Sequence, residues 1–482
     1  MSVIDVSPPD TSPDDAPKPG PRRSLQPLAM RLHFYAGLFV APFILIAAVT
    51  GALYAISPTL EAITSKDLLR VPIGQTEAPL AEQVRSGVAQ QPDLTLVAVA
   101  PAPAPGETTR VLFADPTLGE SERRAVFVNP YTAEPVGEAV VYGSSGALPA
   151  RAWISQFHRH LHLGEPGRLY SELAASWLWV IALAGLVLWI RRVRGRRARN
   201  SAAWLLAPDT AQRGRNRTIT WHGALGTWVL PMALVLAATG MTWSTYAGAN
   251  IEELRTQLSW TTPAVSATLP GAEPAHDHGG DHHAAGHAPA PEVDPATRVG
   301  ELDAVLAAAR GAGVTQPAEI SVPSAAGQAF TVKERRIPGT YTADAVAVDG
   351  ATGQVTDRLP YAEWPLMAKL ANWGIQFHMG LMFGLPNQLL LLASALGLVA
   401  VILLGYRMWW RRRPARAAGR VLGGRAPRRG ALRATPLPLA IGAVAAALLV
   451  GWFVPLFGLS LLGFLAVDVL IGRFNRAPAE TD

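Results

Sequence analysis

Apolar residues gather in six runs of roughly twenty, at 32–56, 169–190, 221–244, 387–406, 437–453 and 454–472. About 20 apolar residues in a helix cross the roughly 30 Å of hydrocarbon in a bilayer. The pattern therefore predicts six transmembrane helices, the last two forming a hairpin over 437–472 that turns between Gly451 and Pro455. Between the runs the periodicity changes. Residues 78–91 have helical spacing, and strand-like alternation follows near 94–100, 109–114, 125–129 and 136–142. In the second half, Asp294-Pro295 is a cap and first turn for a helix through Arg310. Strands are predicted after it near 319–322, 329–335 and 344–348. Each half thus reads as helix, small α+β outer domain, helix.

The two halves repeat. His33, Gly37, Pro42, Thr50 and Gly51 in the first helix map onto His222, Gly226, Pro231, Thr239 and Gly240 in the third on adding 189. Gln156-Phe157-His158, Gly164, Pro166, Gly185, Trp189 and Arg191-Arg192 map onto Gln376-Phe377-His378, Gly384, Pro386, Gly405, Trp409 and Arg411-Arg412 on adding 220. The turn residues Asn129 and Asp349 share that second offset. The difference, 220 − 189 = 31 residues, assigns an insertion to the second half. Its candidate is the Pro/Ala/Gly-rich, His-containing stretch 270–293. Two halves of one orientation predict an internal duplication with a pseudo-twofold axis along the membrane normal.

Charge sets the expected topology. Residues 191–217 carry nine arginines and one acid, Asp209, and residues 411–433 carry nine arginines and no acid. With Arg22, Arg23 and Arg31, these place loops 191–220 and 411–436 and both termini in the cytoplasm by the positive-inside rule. Residues 57–168 and 245–386 then lie outside. The expected order is a disordered cytoplasmic tail (1–27), an uncleaved first helix acting as a signal anchor (28–56), the first outer domain, helix 2 (169–190), a basic loop, helix 3 (221–244), the second outer domain, helix 4 (387–410), a basic loop, the 437–472 hairpin and a cytoplasmic tail (473–482). The chain is 49% hydrophobic and 16% charged, which fits a membrane protein with sizeable polar parts. The net charge of +6 belongs to this topology and gives no nucleic-acid partner. The lone acid Asp468, near Arg473, reads as an interfacial or paired group.

The chain has no cysteine, which excludes disulfides, Fe–S clusters, thiolate ligands and covalent c-type haem. Four histidines occur in both halves: His33 with His222 at the cytoplasmic end, His158 with His378 at the outer side. A short helix over 150–162 would carry His158 across the outer mouth of the bundle. Two imidazoles facing each other across a helix bundle are what bis-histidine b-type haem ligation requires. Ionisable residues near membrane helices are functional candidates, although one isolated histidine at a helix end is more often a snorkelling interfacial group. Two pairs at fixed spacing favour two haem b groups, one near each face. His160 and His162 have Gly380 and Met382 at the equivalent positions and rank below His158. The tract His276, His278, His282, His283 and His287 has the composition either of a weak Zn, Cu or Ni site or of a tolerated low-complexity insert. No G-x-G-x-x-G opens a βα unit, so electrons would come from a cytoplasmic reductase, a soluble carrier or membrane quinol.

The H-x3-G…T-G helices at His33 and His222, the His158 and His378 segments, and the strand-turn pieces at Asn129 and Asp349 resemble the PepSY-associated transmembrane family of bacterial inner-membrane proteins, over roughly residues 28–415. That group includes iron-regulated proteins and ferric-siderophore reductases. The resemblance implies PepSY-like outer domains and a four-helix haem-binding core that passes electrons outward to chelated ferric iron. The expected function is a di-haem transmembrane reductase of a bacterial inner membrane. The rival readings are a non-enzymatic envelope protein that binds peptide or regulates a protease, and a copper- or zinc-handling protein built on the His-rich tract.

Overall fold

A computed structural model gives the fold over residues 24–195, 203–272, 291–412, 427, 429–433 and 435–474. In chain order the helices and strands are α1 (Gln26–Phe39), α2 (Ala41–Thr64), α3 (Lys66–Leu69), α4 (Leu80–Gln90), β1 (Thr95–Ala100), β2 (Thr109–Ala114), β3 (Glu122–Val128) and β4 (Pro135–Tyr142). There follow α5 (Pro149–His160), α6 (Glu165–Arg194), α7 (Ala203–Leu206), α8 (Gly214–Met241) and α9 (Tyr246–Gln257). A 3-10 turn over Pro295–Glu301 leads into α10 (Leu302–Gly311), then β5 (Ala318–Ser321), β6 (Phe330–Glu334), β7 (Ala345–Val348) and β8 (Val355–Leu359). The chain ends with α11 (Leu366–His378), α12 (Leu385–Trp410), α13 (Leu437–Phe453) and α14 (Pro455–Phe474).

The first apolar stretch is two helices where the periodicity predicts one. Pro42 has no N–H to offer the Leu38 carbonyl, so the ladder is interrupted there. That carbonyl accepts the Tyr406 hydroxyl at 3.0 Å instead. Helix α1 ends at Phe39, and α2 runs from Ala41 past the expected end at 56 to Thr64. The corresponding Pro231 sits inside α8, which stays continuous. The same residue at the same repeat position therefore breaks one helix and not the other.

Among the described residues four helices, α2, α6, α8 and α12, are long and apolar enough to cross a membrane. The sequence predicts six. The remaining two, α13 and α14, are apolar but shorter over Leu437–Phe453 and Pro455–Ile471. They dock on the rest through polar contacts. Trp177 Nε1 donates to Ser460 Oγ at 2.8 Å, and Asn250 Nδ2 donates to the Phe453 carbonyl at 2.9 Å. Asp468, expected near Arg473, pairs with Arg31 at 3.0 Å and Arg429 at 3.4 Å, which ties α14 to α1. In the bundle, α1 packs along α6, α2 along α12, α6 along α8, and α8 along α12. Small buried residues on α2 (Ala48, Ala52, Ala55) allow close approach. Helix α9 starts on the buried Glu172, whose carboxylate accepts the Tyr246 and Ala247 backbone N–H groups at 3.1 and 2.9 Å.

The strands form one eight-stranded antiparallel sheet in the order β4-β3-β2-β1-β5-β6-β7-β8. One α+β outer domain was expected in each half. The innermost strands of the two halves pair, with Ala98 opposite Ser321 and Val99 opposite Ile320. The reason is physical: each four-stranded unit alone would leave the N–H and C=O groups of β1 or β5 unpaired, and pairing the two edges satisfies both. The fourth strand of the second unit, β8, was not expected, because Val-Thr-Asp-Arg-Leu lacks a clean apolar alternation. Its register comes from the turn before it. Asp349 accepts the Ala351 N–H at 3.0 Å, as Asn129 accepts that of Tyr131 at 2.9 Å. The turns close equivalent hairpins, Val348 opposite Val355 and Val128 opposite Pro135.

One face of the sheet buries Val99, Val111, Phe113, Ile320, Phe330 and Val332 against α4 and α10. The other buries Ala98, Leu112, Ala125 and Phe127 with Leu148 and the chain just after α2. Helix α5 packs on α2 and α6, and α11 on α8. These two short helices bring His158 and His378 onto the bundle.

Candidate functional site

His33 lies on α1, and its Nδ1 is 2.8 Å from the Ile181 carbonyl of α6. His222 lies on α8, and its Nδ1 is 2.9 Å from the Val401 carbonyl of α12. A carbonyl can only accept, so each Nδ1 carries the proton and each Nε2 keeps its lone pair. Both rings rest on glycine. A Cβ at Gly185 would stand 2.7 Å from His33 Cε1, and one at Gly405 would stand 3.5 Å from His222 Cε1. The two ring centroids are 5.9 Å apart.

The second pair reaches the same state through hydroxyls. His158 Nδ1 is 2.9 Å from Thr50 Oγ1, and His378 Nδ1 is 2.6 Å from Thr239 Oγ1. Each threonine spends its own proton on a carbonyl one turn back, Ile46 at 2.9 Å and Val235 at 2.7 Å. Each Oγ1 therefore accepts from the imidazole, and Nε2 is again left free. Gly51 and Gly240 face these rings, with a Cβ at 3.2 and 3.7 Å from the respective Cε1 atoms. The centroids are 6.5 Å apart. Burial holds the His158 imidazole at a pKa of about 4; burial, then the facing His158, holds that of His378 at about 3. Both are neutral at pH 7, the form that ligates metal.

The partner groups recur at the same two offsets, those of the His33 pair at 220 and those of the His158 pair at 189. Ile181 and Gly185 become Val401 and Gly405 on adding 220, and Thr50 and Gly51 become Thr239 and Gly240 on adding 189. The sequence shows the Thr-Gly pairs but not what they hold. The carbonyls of Ile181 and Val401 have no signature in a sequence at all. On the continuous helix α8, His222 and Thr239 are 17 positions apart (239 − 222), or about 25 Å at about 1.5 Å per residue.

A cavity of about 380 Å³ lies between α2, α6, α8 and α12 and is lined by His158, His378, Gly51, Gly240, Ala48 and Ala395 among others. His33 with His222, and His158 with His378, are the facing imidazoles that would hold a metal between them. The free Nε2 atoms, the glycine clearances and the apolar cavity at His158 and His378 suit a bis-histidine haem.

The remaining histidines are not drawn in. His162 stacks on Trp153 at 4.8 Å and contacts its carbonyl at 3.1 Å. His160 meets His162 edge-on at 5.8 Å. Among the described residues neither makes a ring contact with His158 or His378. His276, His278, His282, His283 and His287 lie outside the described residues. Within the described residues no group of three His, Cys, Asp or Glu is placed to hold a metal ion.

Fold and site together define a helical membrane protein with an antiparallel sheet and two facing histidine pairs. Residues 30–412 match the PepSY-associated TM region, and the chain belongs to that family. No curated protein matches it.

Proposed function

We propose that the protein is a di-haem transmembrane reductase of a bacterial inner membrane, with His33 and His222 holding an inner haem b and His158 and His378 an outer one. The observation that carries this reading is the state of the four imidazoles. Each has Nδ1 occupied by a fixed acceptor, which leaves Nε2 with its lone pair, and the rings of each pair stand 5.9 and 6.5 Å apart. When bound, the haems supply reversible one-electron transfer. The protein's own contribution is orientation and exclusion of water. Ile181, Val401, Thr50 and Thr239 fix tautomer and ring angle, and such partners raise the basicity of the ligating nitrogen. The glycines let the rings approach their neighbouring helices closely.

The arginine-rich loops support cytoplasmic termini with the inner pair on the cytoplasmic side. The repeated offsets support an internal duplication about an axis normal to the membrane, and the docked α13–α14 hairpin supports six spans. Electrons would enter from a cytoplasmic reductase or from quinol. One electron would convert chelated Fe³⁺, siderophore-bound in this reading, to Fe²⁺ at the outer face, and the weakened complex would release it. The test is haem content of the purified protein and of His33→Ala and His378→Ala. Each variant is expected to lose one haem and keep the other. Wild-type protein without haem from haem-replete cells would return the account to a peptide-binding envelope protein.

A further inference from the structure

The bundle-facing side of the sheet carries guanidinium groups that its carboxylates do not balance. Arg110 of β2 lies over the Phe127 ring at 5.3 Å and donates to the Gly146 carbonyl at 2.9 Å. Arg335, just after β6, is 7% exposed. The two meet at one glycine: a Cβ on Gly146 would stand 2.9 Å from Arg110 Nη1 and 3.2 Å from Arg335 Nη2. The Nε of Arg335 is buried with no hydrogen-bond partner. Arg336 donates to Asn372 Oδ1 at 3.2 Å and lines the cavity that holds His158 and His378. The neighbouring loop residues Gly143, Ser144 and Ser145 line that cavity as well.

The carboxylates near this cluster are committed elsewhere. Glu61 is held by Arg151 at 3.3 Å and by the Leu148 N–H at 2.6 Å. Glu107 pairs with Arg70 at 3.4 Å, and Glu319 takes both arms of Arg123 at 2.8 and 3.2 Å. Among the described residues no ion pair reaches Arg110, Arg335 or Arg336. Burial, and then the charge of Arg335, push the Arg110 guanidinium down to about 9. An unpaired buried cation is costly to hold, and guanidinium is shaped to take a carboxylate on two of its N–H groups.

We propose that Arg110, Arg335 and Arg336 form an anion site at the outer mouth, binding the carboxylate oxygens of a ligand seated between the sheet and the His158–His378 cavity. Two sources carry that chemistry: the propionate groups of the outer haem, and an acidic iron chelate approaching from outside. Only the first source rests on the haem reading.

The experiment uses full-length protein in detergent, with Arg335→Gln, Arg336→Gln, the double variant and the charge-conserving Arg335→Lys. Size exclusion and thermal melting select variants that fold. Three quantities are read: haem per chain, haem midpoint potentials, and affinity for redox-inert gallium(III) citrate by calorimetry. Loss of the outer haem or a shift of its potential in the double variant, recovered in part by Arg335→Lys, assigns the site to the propionates. Unchanged haem with citrate affinity weakened about tenfold or more assigns it to the chelate. Wild-type protein that binds citrate but holds no haem keeps the anion site and ends the reductase reading. A folded double variant equal to wild type in haem content, potentials and citrate affinity overturns the proposal.

Discussion

At the residue scale the glycines beside the histidine rings differ in clearance by about one ångström. The Cβ of an alanine at 185 would stand 2.7 Å from His33, whereas one at 240 would stand 3.7 Å from His378. The first distance forces the ring to move and the second is an ordinary contact. Gly185→Ala is therefore expected to lower occupancy of the inner haem with the outer one retained, and Gly240→Ala is expected to leave both. Difference spectra of the two variants, in which the haems are counted separately, check the contrast. Thr239 makes a second prediction. Thr239→Val removes the acceptor of the His378 Nδ1–H and keeps the shape, and is expected to weaken outer haem retention by about 10–100-fold. Thr239→Ser restores the oxygen and is expected to restore binding. Haem loss to apomyoglobin, timed for each variant, measures this. The histidines and Thr-Gly pairs were legible in the sequence because side-chain identity repeats at fixed offsets. The Ile181 and Val401 carbonyls were not, since a backbone acceptor carries no residue signature and its partner is more than 140 positions away in both cases (|i−j| of 148 and 179).

At the scale of elements, local periodicity and non-local pairing part company. Seven of the eight strands, the short helix carrying His158 and the cap at Asp294 follow from alternation, turn chemistry and capping within a few residues of each other. The break between α1 and α2, strand β8 and the β1–β5 junction do not. Each depends on a partner far along the chain: Tyr406 for the Leu38 carbonyl, β7 for β8, and the opposite half for each sheet edge. The joint at Leu38 can be tested. Tyr406→Phe leaves that carbonyl without its donor, and is expected to destabilise the protein by about 1–3 kcal/mol. The loss should appear in detergent melting curves, with inner haem retention reduced because α1 carries His33. In the sheet layer, Phe330 is fully buried between the sheet and α10, and Phe330→Ala is expected to cost about 3–5 kcal/mol while leaving both histidine pairs intact. Equal loss of haem in that variant would show that the sheet and the histidine pairs are not separable.

At the scale of the whole molecule, the histidine pairs are set at two depths, related along α8 by the 17 positions from His222 to Thr239. Length and hydropathy made the membrane character legible, and arginine placement gave a proposed orientation. The single sheet spanning both halves was invisible to any reading that treats the halves one at a time. The loop after β4 and Arg336 line the cavity that holds His158 and His378. The central claim is that the four imidazoles hold two haem groups. The most direct measurement is the visible spectrum of the purified protein, oxidised and dithionite-reduced, with haem quantified per chain. Sharp low-spin b-type bands and about two haems per chain are expected, falling to about one in His33→Ala and in His378→Ala. A colourless protein from haem-replete cells, or a spectrum that neither substitution changes, would contradict it.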